Sequence, residues 1–281
     1  MSHVAEEIAG QPACWRRAAA EARPVAEPGE SVAVVGCGTS WFMAMAFAAL
    51  REAAGHGRTD AFAASEFPAG RDYDRVVAIT RSGTTTEVLD LLATTGATVL
   101  TANPDLAGNT VLLDYADEES VVQTRFATTA LAYLRASLGE DLTAAAADAE
   151  RALTVDLGDL VAADQVTFLG RGWTVGLAHE AALKLREAAS AWTESYPAME
   201  YRHGPISVAE PGRVTWLFGP APAGLADDVA ATGATWVDSD LDPMAHLVVA
   251  QRLAVAVARR RGLDPDRPRH LTRSVVLPPC R

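Results

Sequence analysis

The sequence is nearly devoid of lysine. All but one of its 24 basic residues are arginine, and the exception is Lys184. Acidic residues outnumber basic ones by 36 to 24, leaving a formal charge of −12 over 281 residues. That balance gives no electrostatic footprint for DNA or RNA and speaks against docking on an anionic membrane surface. No apolar run reaches the ~18 residues that a membrane helix needs. The opening MSHVAEEIAGQPACWRR passes from acidic to basic with no apolar stretch between. No signal peptide is therefore expected, and the cytoplasm is the expected compartment. Cysteine is also scarce. Cys14, Cys37 and Cys280 lie far apart and form no C-x-x-C pair, which argues against a disulfide framework or a zinc site. Apolar residues at 49% fit a folded globular protein and not a disordered chain. Abundant alanine together with arginine in place of lysine reads as a coding bias.

What is present is a repeat. Ser31 to Trp41 reads SVAVVGCGTSW, and Val166 to Val175 reads VTFLGRGWTV. Each is a short apolar run ending in Gly-x-Gly, and each precedes helix-forming sequence, Phe42–Ala53 and Thr174–Ala189. Buried parallel strands followed by helices have this pattern. Further strands are expected at Arg75–Thr80, Ala97–Thr101, Val111–Asp114, Val214–Gly219 and Ala234–Asp238. Helices are expected at Ala5–Ala22, about Glu87–Thr95, Ser120–Leu138 and His246–Arg261. The alternation predicts an α/β fold of two tandem, doubly wound parallel-sheet units in one compact body. The boundaries read as an N-terminal helix (1–26), a first unit (27–140), a helical connector (141–163), a second unit (164–262) and an extended tail (263–281).

Three places carry candidate chemistry. The first is a pair of loops, Gly38-Thr39-Ser40 and Thr80-Arg81-Ser82-Gly83-Thr84-Thr85-Thr86. Both follow strands and open helices, whose first turns present unpaired N–H groups and partial positive charge. One such loop is ordinary helix capping. Two, at neighbouring strand ends, form a phosphate cradle that needs no lysine. The second place is the helix after Trp173, where Glu180, Lys184 and Glu187 fall within a sector of about 60°. An exposed Glu–Lys pair of this spacing is commonplace. Here the neighbours are alanine and leucine, and the chain's one lysine marks a position where guanidinium does not serve. The third is His203 in Glu200-Tyr-Arg-His203-Gly-Pro205, a general acid or base if it faces a cleft and merely exposed if it does not. The remaining histidines show no ligand spacing, so no metal is expected. Cys37 reads as a small buried hydrophobe. Neither glycine loop completes a dinucleotide fingerprint: the first lacks the third glycine, the second is spaced too widely, and no acidic residue stands where a ribose would be held.

Taken together, EIAGQP (Glu7–Pro12), GCGTS (Gly36–Ser40), TRSGTT (Thr80–Thr85), VVQTRFATT (Val121–Thr129), EAALKLRE (Glu180–Glu187), HGP (His203–Pro205) and PRHLTRSV (Pro268–Val275) make the chain resemble the tandem sugar-isomerase (SIS) domain proteins. It is similar to the isomerase half of glucosamine-6-phosphate synthase and to amino-sugar-phosphate deaminase/isomerases. The resemblance implies that Gly38, Thr39, Ser40, Thr80, Arg81, Ser82, Gly83 and Thr85 bind a sugar 6-phosphate, with Gln123 and Glu180 in the same pocket. It implies that Glu187 moves a proton between C1 and C2, that Lys184 stands beside it, and that His203 helps open the ring from a neighbouring subunit. A homodimer with shared sites follows, with a small sugar phosphate as ligand and no cofactor.

Two departures from the family pattern shape the expectation. Nothing resembles the synthase's glutaminase domain, so ammonia from glutamine is not expected. The tail lysine that forms an imine in the synthase is matched by Arg273. Arginine is a poor imine former, and Arg273 is expected to pair with phosphate or a carboxylate. The expected activity is that of an isomerase or deaminase acting at C1–C2 of an amino-sugar 6-phosphate. Dehydration of an N-acetylamino-sugar phosphate and a non-catalytic sugar-phosphate sensor are the alternatives.

Overall fold

The computed structural model describes residues 2–278, so Cys280 lies outside the described residues. The molecule is α/β, with two wholly parallel sheets. The first contains β1 (Val32–Gly36), β2 (Thr59–Ala63), β3 (Arg75–Ile79), β4 (Thr98–Thr101) and β5 (Asn109–Leu112), in spatial order β2-β1-β3-β4-β5. The second contains β6 (Gln165–Gly170), β7 (Trp192–Pro197), β8 (Arg213–Phe218) and β9 (Thr235–Val237), in order β7-β6-β8-β9. In each sheet the first strand of the chain lies between the second and third. Strands covered on both faces become apolar throughout, and β1 and β6 are buried at every residue.

Among the described residues the α-helices are α1 (His3–Glu21), α2 (Thr39–Ala53), α3 (Thr86–Thr94), α4 (Arg125–Ser137), α5 (Thr143–Ala152), α6 (Thr174–Ala189), α7 (Leu225–Thr232) and α8 (Pro243–Arg260). Side chains alternate across a strand, and this alternation sets the layers. Val32, Val34 and Ile79 of the first sheet, with Phe168 and Trp216 of the second, join one core filled by α1, α2, α4, α5, α6 and α8. Ala33, Val35 and Ala78 face the other way, against Val88 and Leu91 of α3. Leu169 and Leu217 likewise meet Leu225 and Val229 of α7. Within the central layer α2 packs directly on α6. Gly176 permits that approach, since a Cβ there would collide with the Phe42 carbonyl oxygen and lie 3.0 Å from the Ala46 nitrogen.

Several elements depart from the sequence expectation. Strands β2 and β7 are additional; both are sheet edges with mixed burial, so TDAFA and WTESYP lack the apolar run that marks a central strand. The helix expected over Ser120–Leu138 begins only at Arg125. The connector is helical over Thr143–Ala152 and then continues as a short 3-10 turn, Gly158–Ala162. The described part of the tail adds no strand. It is tied across the first sheet's loops: the Thr86 amide donates to the Val275 carbonyl at 3.1 Å, and the Leu277 amide to the Thr86 hydroxyl at 2.8 Å.

Candidate active site

In the order β2-β1-β3, the chain leaves β1 in one direction and β3 in the other. The crevice between their carboxyl ends is the natural ligand position of such a sheet. Both hydroxyl loops open there. Gly36 brings α2 hard against its strand, since a Cβ would sit 2.6 Å from the Ser40 carbonyl carbon, and Gly38 turns the chain at φ +53°. Neither α2 nor α3 has a side-chain cap. The Thr and Ser hydroxyls are therefore not spent on capping. In the second loop the Gly83 amide donates to the Thr80 hydroxyl at 3.3 Å, and Asn103 Nδ2 donates to the Ser82 carbonyl at 2.9 Å, which fixes the turn.

These loops wall a cavity of about 200 Å³. Gly38, Thr39, Ser40, Thr80, Arg81, Ser82, Thr85, Gln123, Glu187 and Arg273 all line it. It is smaller than the ~300–1,000 Å³ of drug-sized pockets, which suits a compact polar ligand. Leu271, Thr272, Ser274 and Val275 of the tail close one side. The sequence reading did not assign these four to the site; the only signal was their place in the PRHLTRSV motif. Cys37 also lines the cavity and is only partly buried. Burial pushes its thiol pKa up, away from the reactive thiolate.

Glu180, Lys184 and Glu187 come together as the helical spacing requires. Lys184 Nζ donates to Glu187 Oε2 at 2.5 Å and to the Thr39 hydroxyl at 3.0 Å, and lies 3.5 Å from Glu180 Oε1. One buried ammonium thus joins the charged stripe of α6 to the first residue of α2. Burial works against that charge, but Glu180 and Glu187 outweigh it and hold the lysine pKa above its ordinary value. Glu180 is fully buried beneath the lysine and does not line the cavity. Neither of its carboxyl oxygens has a hydrogen-bond partner. Burial, only partly offset by Lys184, pushes its pKa up to about 8. The structure therefore corrects the placement of Glu180 among ligand-contacting residues: it lies sealed beneath Lys184, away from the cavity wall.

Arg81 and Gly83 sit differently from expectation, Arg273 takes one of its two expected pairings, and His203 lies outside the cavity of its own chain. The Arg81 guanidinium is taken up by protein partners, donating to the Ser120 carbonyl at 3.1 Å and the Arg273 carbonyl at 2.9 Å and lying 3.6 Å from Glu118. Arg273 pairs with the Asp117 carboxylate at 2.5 and 2.7 Å and donates to the Glu118 carbonyl. Gly83 shapes its loop without lining the cavity, and His203 is exposed and absent from the cavity walls of this chain.

The Gln123 loop rests on two carboxylates that sequence reasoning missed. Glu7 of α1 accepts from the Glu119 amide at 2.6 Å, the Ser120 amide at 3.1 Å and the Ser120 hydroxyl. Glu118 accepts from the Thr124 and Arg125 amides, both at 2.6 Å, capping α4 from outside the helix. These bonds pull Ser120–Thr124 out of the expected helix and present Gln123 to the cavity. Among the described residues no group of three His, Cys, Asp or Glu side chains gathers at metal-binding separation.

No family model matches the chain. It is 34% identical over 160 residues to the glutamine–fructose-6-phosphate aminotransferase (isomerizing) of Gloeobacter violaceus, covering 46% of this chain and 26% of that one. The enzyme of the same name from Sulfurisphaera tokodaii is 25% identical over 295 residues, covering 88% and 50%. The chain therefore spans half or less of the length of these relatives. Among solved structures, glucosamine-6-phosphate deaminase from Thermotoga maritima superposes with a TM-score of 0.80 at 24% identity, covering 98% of this chain and all of that one. Tagatose-6-phosphate ketose/aldose isomerase from Escherichia coli gives 0.75 at 19% identity, covering 98% and 96%. The chain has the fold of the phosphosugar isomerases. Among the described residues no helix is long and apolar enough to cross a membrane.

Proposed function

We propose that the chain is an isomerase/deaminase-type enzyme acting at C1–C2 of an amino-sugar 6-phosphate such as glucosamine 6-phosphate. One observation carries the reading: the Lys184–Glu187 pair stands at the wall of a hydroxyl-rich cavity formed at two helix N-termini. Helix N-termini and the hydroxyls of Thr39, Ser40, Ser82 and Thr85 suit the 6-phosphate. With the phosphate there, Glu187 takes the C2 proton of the open-chain sugar, giving a 1,2-enolamine. Return of a proton to C1 gives the ketose imine, which water cleaves to fructose 6-phosphate and ammonia. Lys184 holds the Glu187 carboxylate and stabilises negative charge as it develops.

Two further parts belong to the same proposal. We read the two sheets as tandem units, supported by their shared strand order. We also place the exposed His203 in the site of a second copy, making a homodimer with shared sites. Ammonia release from glucosamine 6-phosphate tests the reaction. An ultraviolet-absorbing product from N-acetylglucosamine 6-phosphate would show water loss instead, and tight binding with no turnover would show a sensor. Mixing inactive Glu187→Gln and His203→Ala proteins tests sharing: recovered activity supports it, and none contradicts it.

A further inference from the structure

We infer that the site continues past Glu187 into a cationic subsite, walled by Arg186, Arg269 and His270, that takes a carboxylate-bearing substituent on the C1–C2 end of the sugar phosphate. The inference rests on the proposed sugar-phosphate reading and names the substrate class more closely. A second cavity of about 330 Å³ shares Glu187 and Leu271 with the first. Its other walls are Leu183, Arg186, Ser190, Arg269 and His270. Glu187 thus stands where the two spaces meet. On the proposed reading, with the phosphate on the hydroxyl loops and the reacting carbons at Glu187, a substituent on those carbons lies beside this second space. At ~30 Å³ per water in the liquid, the space corresponds to roughly ten waters, enough for a side group of several heavy atoms.

The chemistry of the walls selects charge. Glu187 is the one acidic residue lining this cavity, and Lys184 already holds it. Arg186 Nη1 donates to the Thr193 carbonyl and hydroxyl at 3.3 and 3.2 Å, and Arg269 Nη2 to the Ser190 hydroxyl at 3.2 Å. Each guanidinium has five N–H donors, so these neutral partners leave donors over. Arg261 adds a third cation beside Ser190, donating to the Ala189 and Ser190 carbonyls at 3.0 and 3.2 Å. Of the six arginines in residues 259–273, Arg269 lines this cavity and Arg261 adjoins it, in a chain of charge −12 whose same stretch carries two aspartates. Of those aspartates, Asp266 is turned to the Val4 amide at the start of α1. A local excess of guanidinium that runs against the overall balance and adjoins a reacting carboxylate fits recognition of an organic anion.

Calorimetric titration of the whole protein tests this with three probes: glucosamine 6-phosphate, its N-succinyl derivative, and the carboxamide twin of that derivative. The succinyl compound is expected to bind about tenfold or more tightly than its neutral twin, as a charge-assisted hydrogen bond implies. Arg269→Gln, at an exposed position, should bring that ratio close to one, and Arg186→Gln should reduce it as well. Equal binding of the twins, with glucosamine 6-phosphate still bound, overturns the subsite and leaves the sugar-phosphate reading standing. A preference unmoved by both substitutions also overturns the subsite. Failure of all three sugar phosphates to bind overturns the sugar-phosphate reading itself.

Discussion

Replacing Glu180 by glutamine should make the protein less sensitive to rising pH. Glu180 is fully buried, its carboxyl oxygens make no hydrogen bond among the described residues although Lys184 Nζ lies 3.5 Å away, and burial outweighs that cation to raise its pKa from 4.5 to about 8. In the unfolded chain the same group loses its proton near pH 4.5. Below that value both states are protonated and folding carries no cost. Between 4.5 and 8 the unfolded chain ionises while the folded one does not, so stability falls as pH rises. At about 1.4 kcal/mol per pKa unit, the loss by pH 7 is about 3 kcal/mol. Glutamine mimics the protonated acid and removes that term. Its amide brings its own burial cost of ~1–3 kcal/mol if left unpaired, but that cost does not vary with pH. Urea unfolding of both proteins at pH 5, 6, 7 and 8 separates the two. The stability difference, variant minus wild type, should grow by about 3 kcal/mol toward pH 8 and then level off. A difference constant across that range would show that Glu180 ionises in the fold as it does in the unfolded chain and refute the raised pKa.

Other outcomes follow from the same geometry. Lys184→Met should cost about 1–3 kcal/mol by leaving the Thr39 hydroxyl and the Glu187 carboxylate without their donor, read by urea unfolding, and should slow turnover of glucosamine 6-phosphate about a hundredfold. Lys184→Arg should not restore that rate, because guanidinium overfills a site built for an ammonium. Burial against Trp216 lowers the pKa of His246 from 6.5 to about 4. The unfolded chain then gains the proton first, so stability is intact above pH 6.5 and falls by up to about 3 kcal/mol as pH drops toward 4. Acid unfolding of His246→Gln should lack that component.

The central strands were readable because burial on both faces forces an unbroken apolar run, as in β1 and β6. Edge strands β2 and β7 carry no such demand, and their polar residues hid them. The juxtaposition of Lys184 with Glu180 and Glu187 was readable from helical periodicity, and the two hydroxyl loops from their place between a strand and a helix. Depth was not readable. The i, i+4, i+7 pattern puts Glu180 on the same stripe as Glu187, but only the packing of α2 on α6 shows that one is sealed and the other faces the cavity. Arg81 was expected to bind phosphate and Arg273 to pair with phosphate or a carboxylate. Arg81 instead holds Glu118 and Ser120, while Arg273 takes the Asp117 carboxylate, and those partnerships arise from contacts distant in sequence.

Solvent deuterium incorporation at C2 of glucosamine 6-phosphate, followed by mass spectrometry or NMR, bears most directly on Glu187 as the proton-transferring base. The wild-type protein should exchange the C2 hydrogen, and Glu187→Gln should bind the sugar phosphate while exchanging it at least about a hundredfold more slowly. Full exchange by Glu187→Gln, or bound sugar phosphate with no exchange in the wild type, would contradict that assignment.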